Sequence, residues 1–272
     1  EAIDVFEYMA GEGRRLFGIT TPSELRNKLC MTIRVPIGVA ACITPWNFPI
    51  AIPAWKISAA LVCGNTCIFK PSSDTPLCAI ELIKILEKAK LPKGVVNLVT
   101  GKGEEVGNAI IKNNKIRMIS FTGSRDTGEF ILKNAGIKKI GLELGGKNPI
   151  IIMDDADLNL ALEGVLWGAF GTSGQRCTAC SRVIIHKKVR DKFERMLLAR
   201  VKKLKLGSGL DKKTDVGPLI NKRALEKVHN YTQIGLKEGA KLLCGGKMLN
   251  TRGFFYPATI FSNVNKNMRI AQ

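Results

Sequence analysis

The chain has 272 residues, 45% hydrophobic and 24% charged, enough for two domains with separate cores. A formal charge of +19 comes from 42 Lys and Arg set against 23 Asp and Glu, but these bases are scattered and lack interleaved aromatics. That pattern argues against a nucleic-acid partner and for a solvated surface whose field favours anionic ligands.

Residues 1–9 read as an acidic, amphipathic helix rather than a secretory leader, and no apolar run is long enough to span a bilayer. The eight cysteines are therefore expected to be reduced thiols of a cytoplasmic protein. Beyond Pro36, a strand is predicted over 38–43 and a helix over 50–61, separated by a turn that Pro45 and Pro49 bracket. A short buried strand follows at 66–70, then a helix over 77–88 with Thr75 as its N-cap and Pro76 at its first position. Strands are predicted at 95–100, 116–121 and 139–143, alternating with helices at 104–112 and 127–134. Such alternation predicts an α/β chain with a parallel sheet wound by helices.

A second unit repeats the alternation. It has strands at 148–153 and 182–186 and helices at 157–170, 189–204 and 222–238. The acidic run Asp154-Asp155-Ala156-Asp157 is expected to cap the first of these helices, and a loop bearing Gly207, Gly209 and Gly217 precedes the last. The chain opens within a helical pattern without an initiator Met and stops at Gln272 without a closing element, so a fragment of a longer protein is expected.

Two motifs carry the chemistry: Glu143-Leu144-Gly145-Gly146-Lys147 and Gly174-Gln175-Arg176-Cys177. A thiol and a carboxylate, each beside flexible backbone, are the parts of covalent catalysis on a carbonyl. Thr44-Pro45-Trp46-Asn47-Phe48-Pro49 sets an amide on a proline-held turn, suited to donating to a developing oxyanion. Ile68-Phe69-Lys70-Pro71-Ser72 and Ser120-Phe121-Thr122-Gly123-Ser124 end two predicted strands, the second opening a helix. Strand ends of this kind, with a helix N-terminus, suit a dinucleotide. Cys63 and Cys67 read as small buried hydrophobes. Cys177 and Cys180 form a C-x-x-C, either a redox pair or half a zinc site. With no second pair, and only His186 and His229 as histidines, no metal is expected.

In order and spacing these five motifs resemble the aldehyde dehydrogenase superfamily, in its NAD(P)-dependent, non-acylating branch. The resemblance implies two Rossmann-like parallel-sheet domains, truncated at both ends: 1–145 binding the cofactor, and 146–272 an incomplete catalytic domain. Residues 18–36 would be bridging strands used in homo-oligomerisation of the full-length protein. It also implies oxidation of a small-molecule aldehyde to a carboxylic acid through a thiohemiacetal and a thioester on Cys177. Glu143 would be the general base, and Asn47 the oxyanion donor beside the Cys177 N–H. Lys70 would hold the ribose hydroxyls of NAD or NADP, and Ser124 a pyrophosphate oxygen. Thr44, Pro45, Trp46, Ser72, Ser73, Phe121, Thr122, Gly123, Gly128, Leu144 and Gly145 would line the cofactor cleft, with Gly103 and Gly107 in the turn beside the adenine.

A second glutamate and a phenylalanine of the family are expected just after Gln272. Many NAD-preferring members carry a glutamate where Ser73 stands; its absence makes NADP acceptable, although Asp74 is adjacent. Arg176 reads equally as a recognition group for a semialdehyde or other acidic aldehyde and as a structural arginine. A CoA-acylating semialdehyde dehydrogenase is the nearest alternative, and Glu143 argues against it. A non-catalytic basic binding protein on the same fold is another, and the intact Asn47, Glu143 and Cys177 argue against that.

Overall fold

A computed structural model describes residues 1–272. The chain divides into two compact units, Glu1–Gly145 and Gly146–Gln272.

The first unit opens with helix α1 (Ala2–Gly13) and an antiparallel pair, β1 (Ile19–Thr21) and β2 (Cys30–Thr32). Then follow β3 (Val39–Ile43), α2 (Ala51–Val62), β4 (Thr66–Lys70), α3 (Pro76–Lys88) and β5 (Val96–Leu98). A π-helical turn, Gly103–Gly107, runs into α4 (Asn108–Lys112), and β6 (Ile116–Gly123), α5 (Arg125–Asn134) and β7 (Lys139–Leu144) complete the unit. The five strands β3 to β7 form one parallel sheet in the order β5-β4-β3-β6-β7.

Alternation along these strands feeds two cores, because successive side chains leave opposite faces. Ala40, Cys42, Cys67 and Phe69 pack against Ile57 and Ala60 of α2 and Ala79 and Leu82 of α3. Ala41, Ile119 and Phe121 pack against Ile110 and Ile111 of α4 and Ile131 of α5. Helices on both faces explain why these strands read as near-continuous apolar runs.

Several local expectations need correction. Thr75 does not cap α3: its ψ of 46° lies outside the extended range a capping side chain needs, and its Oγ1 is buried without a hydrogen-bond partner. Pro76 nevertheless opens the helix. The helix expected over 104–112 begins as the wider π turn between Gly103 and Gly107, positions where no atom crowds the missing side chain. Cys67 is buried as expected, but Cys63 is exposed because it caps the C-terminus of α2. The edge strand β5 keeps only three residues of the expected 95–100.

The second unit contains β8 (Asn148–Ile152), α6 (Leu158–Phe170), a 3₁₀ turn (Gly171–Gly174), β9 (Cys180–Ile185) and α7 (Arg190–Val201). It continues with α8 (Lys222–Lys237), an antiparallel pair β10 (Lys241–Cys244) and β11 (Ile260–Ser262), and a 3₁₀ turn at Arg269–Ala271. Strands β8 and β9 are parallel, and their core joins Ile152 to Leu162, Val165 and Leu166 of α6 and to Phe193, Leu197 and Val201 of α7. Within the acidic run, Asp157 alone caps α6, accepting from the N–H groups of Asn159 (2.8 Å) and Leu160 (3.2 Å). Asp154 instead accepts from Lys188 Nζ at 2.6 Å, which holds its carboxyl below the usual carboxylate range. No helix is long and apolar enough to cross a membrane.

Candidate active site

In the first unit the chain builds β3, β4 and β5 outward in one direction, then returns to lay β6 on the other side of β3. Ligands of open α/β sheets bind at such a reversal, beyond the carboxyl ends of the strands. Five predicted segments share that edge: 44–47 after β3, 70–73 after β4, 101–107 after β5, 121–124 at the end of β6 and 143–145 at the end of β7.

Thr44 donates its N–H to the Lys70 carbonyl at 3.1 Å; the residue is 4% exposed, and its Oγ1 is buried without a partner. Asn47, Pro45 and Trp46 are half-buried on the same turn. Lys70 is 5% exposed, and its Nζ donates to the neighbouring Pro71 carbonyl at 3.3 Å. No carboxylate lies within ion-pair distance of it, and burial pushes its ammonium below the ordinary lysine range. Ser72 Oγ accepts from the Asp74 N–H at 3.2 Å, and Ser73 Oγ donates to the Gly101 carbonyl at 3.1 Å, tying two edge loops together.

Ser124 caps α5, its Oγ accepting from the Thr127 N–H at 3.3 Å. Two glycines allow the close packing there. A Cβ on Gly123 would meet the Phe121 ring, and one on Gly128 would stand 2.8 Å from Leu144 Cδ2, so α5 lies directly against β7.

Ile140, Leu142 and Leu144 face the α4–α5 core, which by alternation turns Glu143 to the opposite, α2-bearing face. There Glu143 lines a cavity of about 870 Å³ with Lys56, Ser120, Cys42, Trp55 and Arg34. Lys56 Nζ donates to Ser120 Oγ at 2.9 Å; burial pushes its ammonium down, opposed by Cys42 and Glu143. Lys56 escapes a reading by motif, yet the sequence carries a signal: it is the one charged residue of the largely apolar helix Ala51–Val62.

In the second unit, Cys177 is an exposed free thiol. It follows three consecutive residues in the left-handed region: Thr172 (φ 54°), Ser173 (φ 55°) and Gly174 (φ 69°). Side chains before it fasten the loop to backbone. Ser173 Oγ donates to the Gly217 carbonyl at 2.8 Å, while Gln175 Oε1 accepts from the Ile220 N–H at 3.0 Å. Arg176 lays its guanidinium over the Trp167 ring, 4.7 Å from the centroid, and donates Nη2 to the carbonyls of Trp167 and, at 3.2 Å, Gly168. These carbonyls belong to the last turn of α6, where unsatisfied acceptors and the negative helix end favour a cation. Of the two readings of Arg176, these contacts favour the structural one. Cys180 is buried at the start of β9, and its thiol is pushed up by burial and donates to the Arg182 carbonyl at 3.2 Å. The two cysteines of the C-x-x-C thus differ in environment, and both are free.

A parallel sheet with a polar carboxyl edge, followed by a unit that presents an exposed cysteine on a left-handed loop, makes this a two-unit α/β chain with a dinucleotide-type sheet edge and an accessible thiol. The family model described as "Aldehyde dehydrogenase family" matches residues 1–272, and the chain belongs to that family. It is similar to 2,5-dioxopentanoate dehydrogenase of Saccharolobus solfataricus, at 45% identity over 260 residues, 94% of this chain and 54% of that protein. It is equally similar to betaine aldehyde dehydrogenase of Bacillus subtilis, at 45% identity over 275 residues, 99% of this chain and 56% of that protein. Among solved structures, betaine aldehyde dehydrogenase of Staphylococcus aureus in complex with NAD+ matches with a TM-score of 0.96 at 40% identity, covering 98% of this chain and 55% of the other. The chain spans about half the length of the curated relatives it matches.

Proposed function

We propose that this chain carries the cofactor edge and the nucleophile of an enzyme that oxidises an aldehyde to a carboxylic acid with NAD(P)+. The observation that carries the reading is Cys177, an exposed thiol on a left-handed, side-chain-fastened loop in a chain of this family. In this reading the first unit is the cofactor domain and the second the catalytic domain.

The residues of the carboxyl edge fit a dinucleotide. The orphaned Thr44 Oγ1 and the buried, uncompensated Lys70 ammonium are polar groups in want of a hydroxyl- and phosphate-bearing partner. Lys70 would hold ribose hydroxyls, and Ser124 at the N-terminus of α5 a pyrophosphate oxygen. Pro45, Trp46, Ser72, Phe121, Thr122, Leu144 and Gly145 would line the cleft, and Gly103 and Gly107 would flank the adenine. A bound nicotinamide supplies an acceptor for hydride.

The chain's own residues do the rest. The Cys177 thiolate adds to the carbonyl carbon, giving a thiohemiacetal whose oxyanion takes hydrogen bonds from Asn47 and the Cys177 N–H. Loss of hydride, two electrons and a proton, leaves a thioester. Glu143 takes a proton from water, the resulting hydroxide attacks the thioester, and the acid leaves as the thiol is restored. The test uses the intact protein. Cys177→Ser is expected to abolish turnover, and Glu143→Gln to release one burst of reduced cofactor per site and then stall. Steady turnover in either variant overturns the corresponding role.

For the substrate, the dicarbonyl acid in one relative's name and the +19 charge support an acidic semialdehyde. Arg176 is engaged with α6 and Trp167, so its recognition role is not part of this proposal. Ser73 in place of an acidic residue supports the use of NADP as well as NAD. The exposed Ile19, Leu25, Leu29, Met31 and Ile33 on and beside the β1–β2 pair support a homo-oligomer built through that segment.

A further inference from the structure

We propose that Asn148 is a positioning residue for the Cys177 loop, an inference that rests on Cys177 being the nucleophile. Asn148 is the first residue of β8, and its Nδ2 reaches two carbonyls of the loop, Cys177 at 2.6 Å and Ala179 at 3.3 Å. One amide nitrogen carries two hydrogens, so a single side chain can hold both acceptors. The Ala179 N–H meanwhile returns to the Arg176 carbonyl at 3.1 Å, closing a turn around Cys177. Fixing the carbonyl of Cys177 restricts rotation about its Cα–C bond, and with it the direction in which the thiol leaves the backbone.

The neighbourhood of Asn148 is built to hold that amide still. In the ladder Asn148 stands opposite Cys180, but the next residue, Pro149, stands opposite Arg182, so Ser181 is an extra residue on β9. Pro149 has no N–H to give the ladder, and its ring confines the residue before it to extended backbone. Behind the amide, a Cβ on Gly146 would stand 3.2 Å from Asn148 Oδ1, so the glycine leaves room for the oxygen to turn away from the loop while Nδ2 faces it. Arg176 fastens the chain just before the thiol to α6, and Asn148 fastens it at and just after the thiol to β8.

The role demands a donor, which makes it separable from simple packing. Asn148→Asp keeps the shape but turns an acceptor toward two carbonyls, Asn148→Ala removes the group, and Asn148→Ser keeps a shorter donor on the same pre-proline backbone. In the intact protein, three quantities are measured for each: kcat and KM, the pH-dependent rate at which iodoacetamide alkylates Cys177 (located by peptide mass), and the melting temperature. Expected for Asp and Ala are a fall in kcat of about tenfold to a hundredfold and cofactor KM within about twofold of the parent. The Cys177 alkylation profile should change, with melting lowered by only about 2–4 °C. Ser is expected to fall between these variants and the parent, and it serves if Asp fails to fold. Parental kcat and parental alkylation in Ala or Ser overturn the proposal, as does a loss confined to melting temperature. Turnover surviving in Cys177→Ser instead overturns the nucleophile reading, so the two failures are distinct.

Discussion

The left-handed turn before Cys177 makes a prediction whose sign reverses within three residues. Gly174 has φ 69°, and a Cβ added there would stand 3.0 Å from the Ala169 carbonyl oxygen, which sits in the last turn of α6 and cannot readily yield. Left-handed backbone costs an L-residue about 1–2 kcal/mol, and the contact adds about 1 kcal/mol of overpacking. The lower entropy of an unfolded chain with Ala in place of Gly offsets about 0.4–1 kcal/mol of this. Gly174→Ala should therefore destabilise the protein by about 1–2.5 kcal/mol net. Thr172 already bears the same strain at φ 54°, with its side chain exposed and β-branched. Thr172→Gly relieves about 1–2 kcal/mol and forfeits about 0.4–1, a net gain of about 0–1.5 kcal/mol. Denaturant midpoints at an unchanged m-value report both. A Gly174→Ala protein within about 0.5 kcal/mol of the parent would refute the left-handed turn and the strain argument with it. So would a Thr172→Gly protein less stable than the parent.

Lys70→Met should raise stability at neutral pH by about 1–3 kcal/mol, since it removes a buried cation whose one hydrogen bond goes to its neighbour's carbonyl, while weakening cofactor binding about tenfold. The sign with pH follows from burial, which lowers the native pKa of Lys70 below its unfolded value. The unfolded chain then holds the extra proton between the two, so the parent gains stability as pH rises through that window, and the advantage of Lys70→Met shrinks toward pH 10.5. Ser73→Glu, which also breaks the bond from Ser73 Oγ to the Gly101 carbonyl, should lower the efficiency with NADP relative to NAD by about tenfold or more. An unchanged ratio of kcat/KM for the two cofactors refutes a discriminating role at this position.

Where a signal is local and periodic, it was legible. The apolar runs around 38–43, 66–70 and 116–121 are long enough to read as buried strands between helical patterns, and Pro76 marks the start of α3 by its missing N–H. The short strands of the β1–β2 and β10–β11 pairs contain three or four residues each, too few for a period to register. Residue type also concealed the turn before Cys177, because Thr172 and Ser173 carry no left-handed preference and only Gly174 hints at it. The chemical groups at 47, 143 and 177 could be chosen by what their side chains can do. What fastens them could not, because Asn148 meets Cys177 from 29 residues away and Ser173 meets Gly217 from 44. Lys56 stays hidden in the sequence for the converse reason: its meaning depends on which sheet face Glu143 takes, and that is set by Ile140, Leu142 and Leu144.

On the proposed reading, the turn after β3 links the cofactor edge to Asn47 as oxyanion donor. In doubly wound sheets the first strand-to-helix turn commonly carries glycines that let the backbone approach a pyrophosphate. Residues 44–50 contain no glycine, and Pro45 and Pro49 offer no N–H at all. On the proposed reading the phosphate must then move across the reversal of strand order to the next helix. That is where the small residues are: Gly123 ends β6, Ser124 caps α5, and Gly128 lets α5 settle against Leu144. The same prolines that make the β3–α2 turn a poor phosphate cradle fix its backbone dihedrals, which is what a side-chain amide needs to meet a developing charge without reorganising. On that reading, placing the phosphate at α5 assigns the proline-held turn of Asn47 to the substrate rather than to the cofactor.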